Sequence, residues 1–328
     1  MKTNKQPVLS ICIPTWNRSS FLRISLDSLF GQLNDIEKED VEIFISDNCS
    51  SDATPNIIEE FIDKGMPITV NRNEENIGAA RNFIKCMQWA SGKYIILLGD
   101  DDFLLPGSLL FLVKELEKEE YGLIHIVTKA RKKKLHREIE IFNDREEFLE
   151  EVSFWFTFMS GNIFRKDIVT LIANPEQYIH THLLQMPFFL KSALSRDKNL
   201  VIYRPILKGG ADGATNGGYN FYEVFVKGYL DILMSFVENE NLSICCFNKL
   251  KRDLFLGFLL SRNYKYLILK QNVVDEKYEY KHNRKGFKTK GGWDILHSYY
   301  GHNLYYYLSF VLYPYLFVKH CVKCLVGR

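Results

Sequence analysis

The sequence predicts an α/β fold: a mostly parallel central sheet with flanking helices, then a helical, aromatic-rich and basic C-terminal region. Three observations predict it. Short β-rich apolar runs alternate with stretches of helical spacing, the pattern of a parallel sheet covered on both faces. The runs end in polar clusters, where open α/β sheets bind their ligands. Charge sets the C-terminal region apart. The chain of 328 residues has a net charge of only +2, yet from Asn241 to Arg328 there are 15 Lys and Arg against 5 Asp and Glu.

Val8–Pro14 reads as a first, buried strand that ends at proline. Ser19–Leu33 reads as a helix, because Leu22, Leu26, Leu29 and Leu33 recur at helical spacing. Val41–Ser46 is the second strand and Thr54–Ile62 the next helix. Ile68–Val70 is a brief third strand, and from Asn76 onward Ile77, Ala80, Ile84 and Met87 mark another helical face. Tyr94–Leu98 is the fourth strand. Pro106–Lys118 is a helix with proline near its first turn, and Leu123–Thr128 is a fifth strand. The basic run Lys129–Arg137 reads as a solvated loop. Phe154–Asp167 holds an aromatic block, then Ser-Gly-Asn, then a strand-like end. Gly209–Asn220 is a glycine-rich loop, and helical pattern resumes at Tyr222. Two domains are expected, 1–220 (in halves 1–128 and 129–220) and 221–328.

Composition narrows the class. With 46% hydrophobic and 25% charged residues the chain is globular. The 7 cysteines follow no framework spacing, which predicts free thiols in a reducing compartment. Cys321-x-x-Cys324 has no second pair to complete a metal site. The opening MKTNKQPVLSICIP lacks a long apolar stretch, so no signal peptide is expected. No G-x-G-x-x-G follows the first strand, which disfavours a dinucleotide oxidoreductase.

The chemistry concentrates at LLGDDDFLLPGS, Leu97–Ser108. A helix cap needs one aspartate, and Asp100, Asp101 and Asp102 are three. Packed carboxylates are costly unless a cation neutralises them or some stay protonated. Oxygen-only ligands suit Mg²⁺ or Mn²⁺, whose remaining positions phosphate oxygens commonly fill. The triplet therefore predicts a metal–diphosphate site. PTWNR (Pro14–Arg18) and SDNCSSD (Ser46–Asp52) fall at two other strand ends.

VLSICIPTWNR, VEIFISDNCSSDAT, NIGAARNF and GKYIILLGDDDFLLPGS, in this order, resemble the nucleotide-binding half of family 2 glycosyltransferases with the GT-A fold, over roughly Val8 to Leu116. The GDDD form, with SGNIFRKD and TNGGYNFYEVF, is similar to the abequosyltransferase-like branch that builds bacterial surface polysaccharides. The resemblance implies an inverting transferase acting on a nucleotide-diphosphate sugar. It places Pro14, Thr15, Asn17 and Arg18, with Asp47 and Asn48, on the donor nucleotide, and Arg81 near the diphosphate or ribose. Asp47, an acceptor-only carboxylate, suits a ring N–H and so favours UDP or dTDP. The family pattern is Asp-x-Asp-Asp. Aligned on the strand YIILL, Gly99 stands where the first Asp is usual. Asp101 and Asp102 then become the metal residues, Asp102 also serving catalysis, while Asp100 takes over the ribose contact.

Direct displacement needs one general base. PEQYIHTHLLQMPF (Pro175–Phe188) occupies the segment where relatives carry an Asp, and it offers Glu176, His180 and His182 instead. His180 and His182 are the expected bases, since imidazole titrates near neutrality; Asp212 is a more distant candidate. Trp155 and Ser160–Asn162 are expected at the acceptor pocket. Leu304–Val318 carries no charge, is rich in Tyr, and precedes Lys319, His320, Lys323 and Arg328. It predicts peripheral attachment to an anionic membrane surface, on the cytoplasmic inner face, where a lipid-linked glycan acceptor is met. No nucleic-acid partner is expected, and homo-oligomerisation is left open. A non-catalytic sugar- or nucleotide-binding protein and a sugar nucleotidyltransferase are the alternative readings.

Overall fold

The computed structural model describes residues 5–128, 137–209, 218–239, 242–275 and 286–326, with the side chains of 319–326 excluded. The chain divides into two compact units, Met1–Gly213 and Ala214–Arg328. The division falls seven residues ahead of the boundary expected from sequence.

The first unit runs β1 (Leu9–Thr15), α1 (Ser19–Phe30), β2 (Val41–Asp47), α2 (Thr54–Asp63), β3 (Ile68–Arg72), α3 (Ala79–Trp89), β4 (Tyr94–Leu97), β5 (Phe103–Leu104), α4 (Ser108–Lys118), β6 (Leu123–Ile126), β7 (Ile139–Phe142), α5 (Arg145–Val152), β8 (Asn162–Arg165), α6 (Ile168–Leu171), α7 (Met186–Leu194), β9 (Asn199–Ile202) and β10 (Leu207–Lys208). Eight strands form one sheet in the order β3-β2-β1-β4-β8-β6-β9-β7, and β5 pairs with β10 separately. β3, β2, β1 and β4 are mutually parallel. β8 enters antiparallel between β4 and β6.

Position in the sheet explains composition. β1 lies between β2 and β4, every one of its residues is buried, and its sequence is correspondingly mostly apolar. β3 sits at the edge and is half exposed. Leu22, Leu26 and Leu29 of α1 share the core with Ile11, Ile43 and Ile96. Two helices differ from the periodic reading. α1 stops at Phe30, where Gly31 N closes on Asp27 O at 3.1 Å, and Leu33 joins a separate 3₁₀ turn. α3 starts at Ala79 rather than Asn76, because Asn76 Oδ1 accepts from Gly78 N and Asn48 Nδ2, and Gly78 takes φ +84°.

The second unit is helical: α8 (Tyr229–Asn239), α9 (Ile244–Asp253), α10 (Leu260–Asn263), α11 (Gly292–Tyr300) and α12 (Leu304–Val326), joined in part by π-helical turns. Among the described residues no helix is long and apolar enough to cross a membrane. Cys12, Cys49, Cys86, Cys245 and Cys246 are free thiols; the side chains of Cys321 and Cys324 lie outside the described residues. Most of the Lys129–Arg137 run and of the glycine-rich loop, including Asp212, also lies outside them.

Candidate active site

The parallel strands deliver three loops to one edge. Thr15, the last residue of β1, pairs in register with Asp47, the last of β2, and Pro14 with Ser46. β4 lies on the other side of β1 and runs the same way, so Gly99–Asp102 emerges beside Thr15. Asn17 holds the first two loops together. Its backbone is left-handed, at φ +52°, a conformation that Asn tolerates better than most residues. Its Oδ1 accepts from Ser51 N at 2.7 Å and Asp52 N at 3.3 Å, and its own N–H donates to Ser50 Oγ at 2.9 Å.

Arg18 closes the third side. Its Nε stands 2.8 Å from Asp100 Oδ1 and its Nη2 2.9 Å from Asp101 Oδ2, with all three side chains mostly buried. Thr15 Oγ1 donates to Asp100 Oδ2 at 2.9 Å. Asp102 turns elsewhere: Ser160 Oγ donates to its Oδ2 at 2.5 Å and itself accepts from Gly99 N at 2.8 Å. Burial pushes the Asp100 carboxyl up to about 7, and Arg18 and Thr15 oppose the shift only partly. One guanidinium thus faces two carboxylates, and protonation of Asp100 relieves the remainder.

Gly99 has a local reason. A Cβ there would stand 3.0 Å from Asp102 Oδ2, 3.3 Å from Asp101 Oδ1 and 3.4 Å from Ser160 Oγ. An aspartate at this position would crowd the carboxylates it is meant to join. Among the described residues no three His, Cys, Asp or Glu side chains already converge as a metal cage. Asp101 and Asp102 supply oxygen donors of the kind Mg²⁺ and Mn²⁺ take, with positions left for phosphate, so the residues fit such an ion.

Asp47 is almost fully buried. Its Oδ1 accepts from Ser50 N at 2.9 Å, while its buried Oδ2 accepts no hydrogen bond among the described residues and meets Arg72 Nη1 at 3.3 Å. Asn48 is spent on structure: its Oδ1 accepts from Asn73 Nδ2 and Ile77 N, both at 3.0 Å, and its Nδ2 donates to Asn76. Asn82 extends this floor, accepting from Ser46 Oγ at 2.7 Å and Asn73 Nδ2 at 3.0 Å, and donating to Ser46 O.

The remaining candidates lie on the 3₁₀ turn Pro175–Thr181 and just after it. Arg81 Nε bonds Glu176 Oε1 at 3.1 Å, which ties α3 to this turn. His180 and His182 are both exposed, and His182 has φ +56°. Partial desolvation, with the neighbouring His180, lowers the His182 pKa from its usual value. Nothing here brings Arg81 or either histidine into contact with the aspartates through the bonds just described.

Ser160, Arg72 and the asparagine floor carry no motif of their own, and sequence reasoning missed those roles. The signal was available only as polar residues inside apolar strands. Asn162 illustrates it: wholly buried on β8, it donates to Phe158 O at 2.7 Å and faces His125 Nδ1 at 3.0 Å. Trp155, Phe158, His125 and Thr128 line a small recess nearby.

The mostly parallel sheet presents buried carboxylates and polar loops at the carboxyl ends of its strands, where open α/β folds bind their ligands, and the architecture is that of the GT-A class. The sequence model of glycosyl transferase family 2 matches residues 10–171, just under half of the chain. Among characterised relatives the chain is similar to the abequosyltransferase RfbV of Salmonella typhimurium, 32% identical over 195 residues. That match spans 53% of this chain and 57% of the relative, little more than half of its length. It is also similar to a GalNAc(5)-diNAcBac-PP-undecaprenol β-1,3-glucosyltransferase of Campylobacter jejuni, 27% identical, covering 71% of this chain and 75% of that one. Solved structures show the same fold. Staphylococcus aureus TarS 1–349 in complex with UDP superposes with TM-score 0.59 at 16% identity, covering 79% of this chain and 75% of that one. A Pyrobaculum calidifontis mannosyltransferase in complex with GDP-Man and Mn²⁺ gives 0.50 at 13% identity, covering 99% and 89%.

Proposed function

We propose that the protein transfers a sugar, with inversion, from a nucleotide-diphosphate sugar to a hydroxyl of a lipid-linked glycan in bacterial surface-polysaccharide synthesis. The observation that carries this reading is the buried Asp100–Asp102 turn beside Thr15 and Arg18, within a family 2 domain. The acceptor class is supported by the undecaprenol-linked substrate named for the Campylobacter relative. Peripheral attachment at the inner membrane face follows from that acceptor and from the basic C-terminal region.

Asp47, whose buried Oδ2 is held only by the ion pair with Arg72, would accept a ring N–H of the base, which favours UDP or dTDP. Pro14, Thr15 and Asn17 shape the nucleotide wall. Arg18 is the cation nearest the two aspartates and serves the diphosphate. Asp101 and Asp102 would hold Mn²⁺ or Mg²⁺, and that ion, when bound, supplies charge neutralisation for the leaving diphosphate. Asp100 holds Thr15 and Arg18 in place. His180 or His182 takes the acceptor proton. The lowered pKa of His182 keeps its imidazole neutral, and so able to accept a proton, at pH 7.

The test is transfer from UDP- and dTDP-sugars to a lipid-linked glycan, with the anomeric configuration of the product read by NMR. The reading expects an inverted product and loss of turnover, with donor binding intact, in either His180→Ala or His182→Ala. A retained configuration would refute direct displacement. Full activity in both variants would remove the histidines from the reaction.

A further inference from the structure

Helix α12 is apolar on more than one face, and among the described residues its own unit covers only one. On the covered face Tyr306, Ser309 and Tyr313 are buried. Phe310 and Tyr313 pack on Trp293, with ring centroids 5.6 and 6.2 Å apart, and Asn263 Nδ2 donates to Tyr313 Oη at 3.3 Å. Around the rest of the helix Leu304, Tyr307, Leu308, Val311, Tyr315 and Val318 stand open, flanked by the exposed Leu312 and Phe317 and by the partly covered Phe310; Leu304 is 74% exposed, Val311 73% and Tyr315 64%. The first six, spaced three, one, three, four and three apart, run along the middle of this broad apolar surface. No charged residue interrupts Leu304–Val318. An open apolar stripe of this length marks an interaction surface rather than ordinary scatter.

We infer that this stripe lies in the interface of an anionic lipid bilayer, with α12 in the membrane plane. Charge selects that occupant over a second copy of the chain. The unit Ala214–Arg328 holds 16 Lys and Arg against 9 Asp and Glu. Two copies meeting through α12 would bring two such surpluses together, whereas an anionic leaflet attracts each one. Length selects the in-plane arrangement. The uncharged run rises about 22 Å as a helix, short of the ~30 Å hydrocarbon core. Side-chain type agrees: Tyr307 and Tyr315 put an apolar ring and a hydroxyl on the stripe, the pairing suited to a headgroup region. The sequence places Lys319 and Lys323 directly after the stripe. The purpose of this surface rests on the lipid-linked acceptor proposed above.

The full chain, sedimented with vesicles of phosphatidylcholine and phosphatidylglycerol in equal parts, should pellet with them. It should stay in solution with phosphatidylcholine alone, because each basic residue near an anionic leaflet raises binding roughly five-fold. The double variant Leu308→Glu, Val311→Glu changes two exposed side chains. It should keep its circular dichroism spectrum and its UDP binding while losing vesicle binding by about ten-fold or more. Wild type that stays in solution with anionic vesicles, or a double variant that pellets like wild type, overturns the inference. So does a wild-type dimer in analytical ultracentrifugation that the double variant dissociates, since the stripe would then face a second copy. Calorimetry with UDP and dTDP on the same preparations separates this inference from the transferase reading. Vesicle binding without nucleotide binding would sink the transferase and leave the surface standing; nucleotide binding without vesicle binding would do the reverse.

Discussion

The two units break the rule of charge outside and apolar inside in opposite directions. At the end of β4 the first unit buries Asp100 and Asp102. Along α12 the second unit exposes Leu304, Leu308 and Val311. Each arrangement is costly in isolation. Buried carboxylates need a cation, and open apolar surface needs a cover. In the first unit the cost is met inside the chain by Arg18, Thr15 and Ser160, so the site is assembled before any donor arrives. In the second, none of the described residues covers the stripe. The contrast sets a polar cluster that supplies its own counter-charge against an apolar surface that the described residues leave open.

The sharpest way to break the comparison is to remove a carboxylate. Asp101→Ala should lower turnover by about 10³-fold, the scale of losing an electrostatic contact to the developing charge. It should also abolish the metal dependence of nucleotide binding, and calorimetry with and without EDTA reads both. Next comes the internal counter-ion. Arg18→Ala leaves two buried carboxylates unmatched and should cost roughly 3–5 kcal/mol of stability in thermal unfolding. The deficit should shrink as pH falls. Asp100 already holds its proton up to about pH 7, and its neutral form needs no cation.

That pH dependence has a definite sign in the intact protein too. The folded Asp100 pKa lies above the unfolded value of 3.8, so this group's contribution to stability falls as pH rises from near 4 through about 7. Asp100→Asn should flatten that part of the stability profile, as measured by urea unfolding across the range. A smaller effect is expected at Asp102. Ser160→Ala removes one hydrogen bond that orients the carboxylate, and Mn²⁺ affinity should drop by roughly 10–100-fold. Smallest is Arg81→Ala. Its bond to Glu176 is between two half-exposed side chains, so stability should change by less than about 1 kcal/mol.

Legibility from sequence follows the same division. β1, β2 and β4 were readable because these central parallel strands are predominantly apolar and their ends carry the polar clusters. That Asp100–Asp102 calls for a counter-charge was readable from repulsion alone, and Arg18 supplies one inside the chain. What could not be read was long-range pairing. β8 lies between β4 and β6, and nothing in its four residues announces that antiparallel insertion. Ser160 reaches Asp102 only because of it; by sequence alone Ser-Gly-Asn pointed to the acceptor. Helix boundaries slipped where side chains took over backbone partners, as Asn76 does before α3. The π-helical turns of the second unit follow no apolar period, so that region was legible as helical and no further.

The central claim is that Asp100–Asp102 is a cation–diphosphate site rather than a structural turn. Calorimetric titration of the full chain with UDP and dTDP, in Mn²⁺ and in EDTA, on wild type and Asp101→Ala, tests it most directly. The account predicts tight binding of at least one nucleotide in Mn²⁺, weakened by EDTA and by the substitution alike. Folded wild-type protein that binds neither nucleotide in Mn²⁺, or that binds equally well in EDTA and after Asp101→Ala, would contradict it.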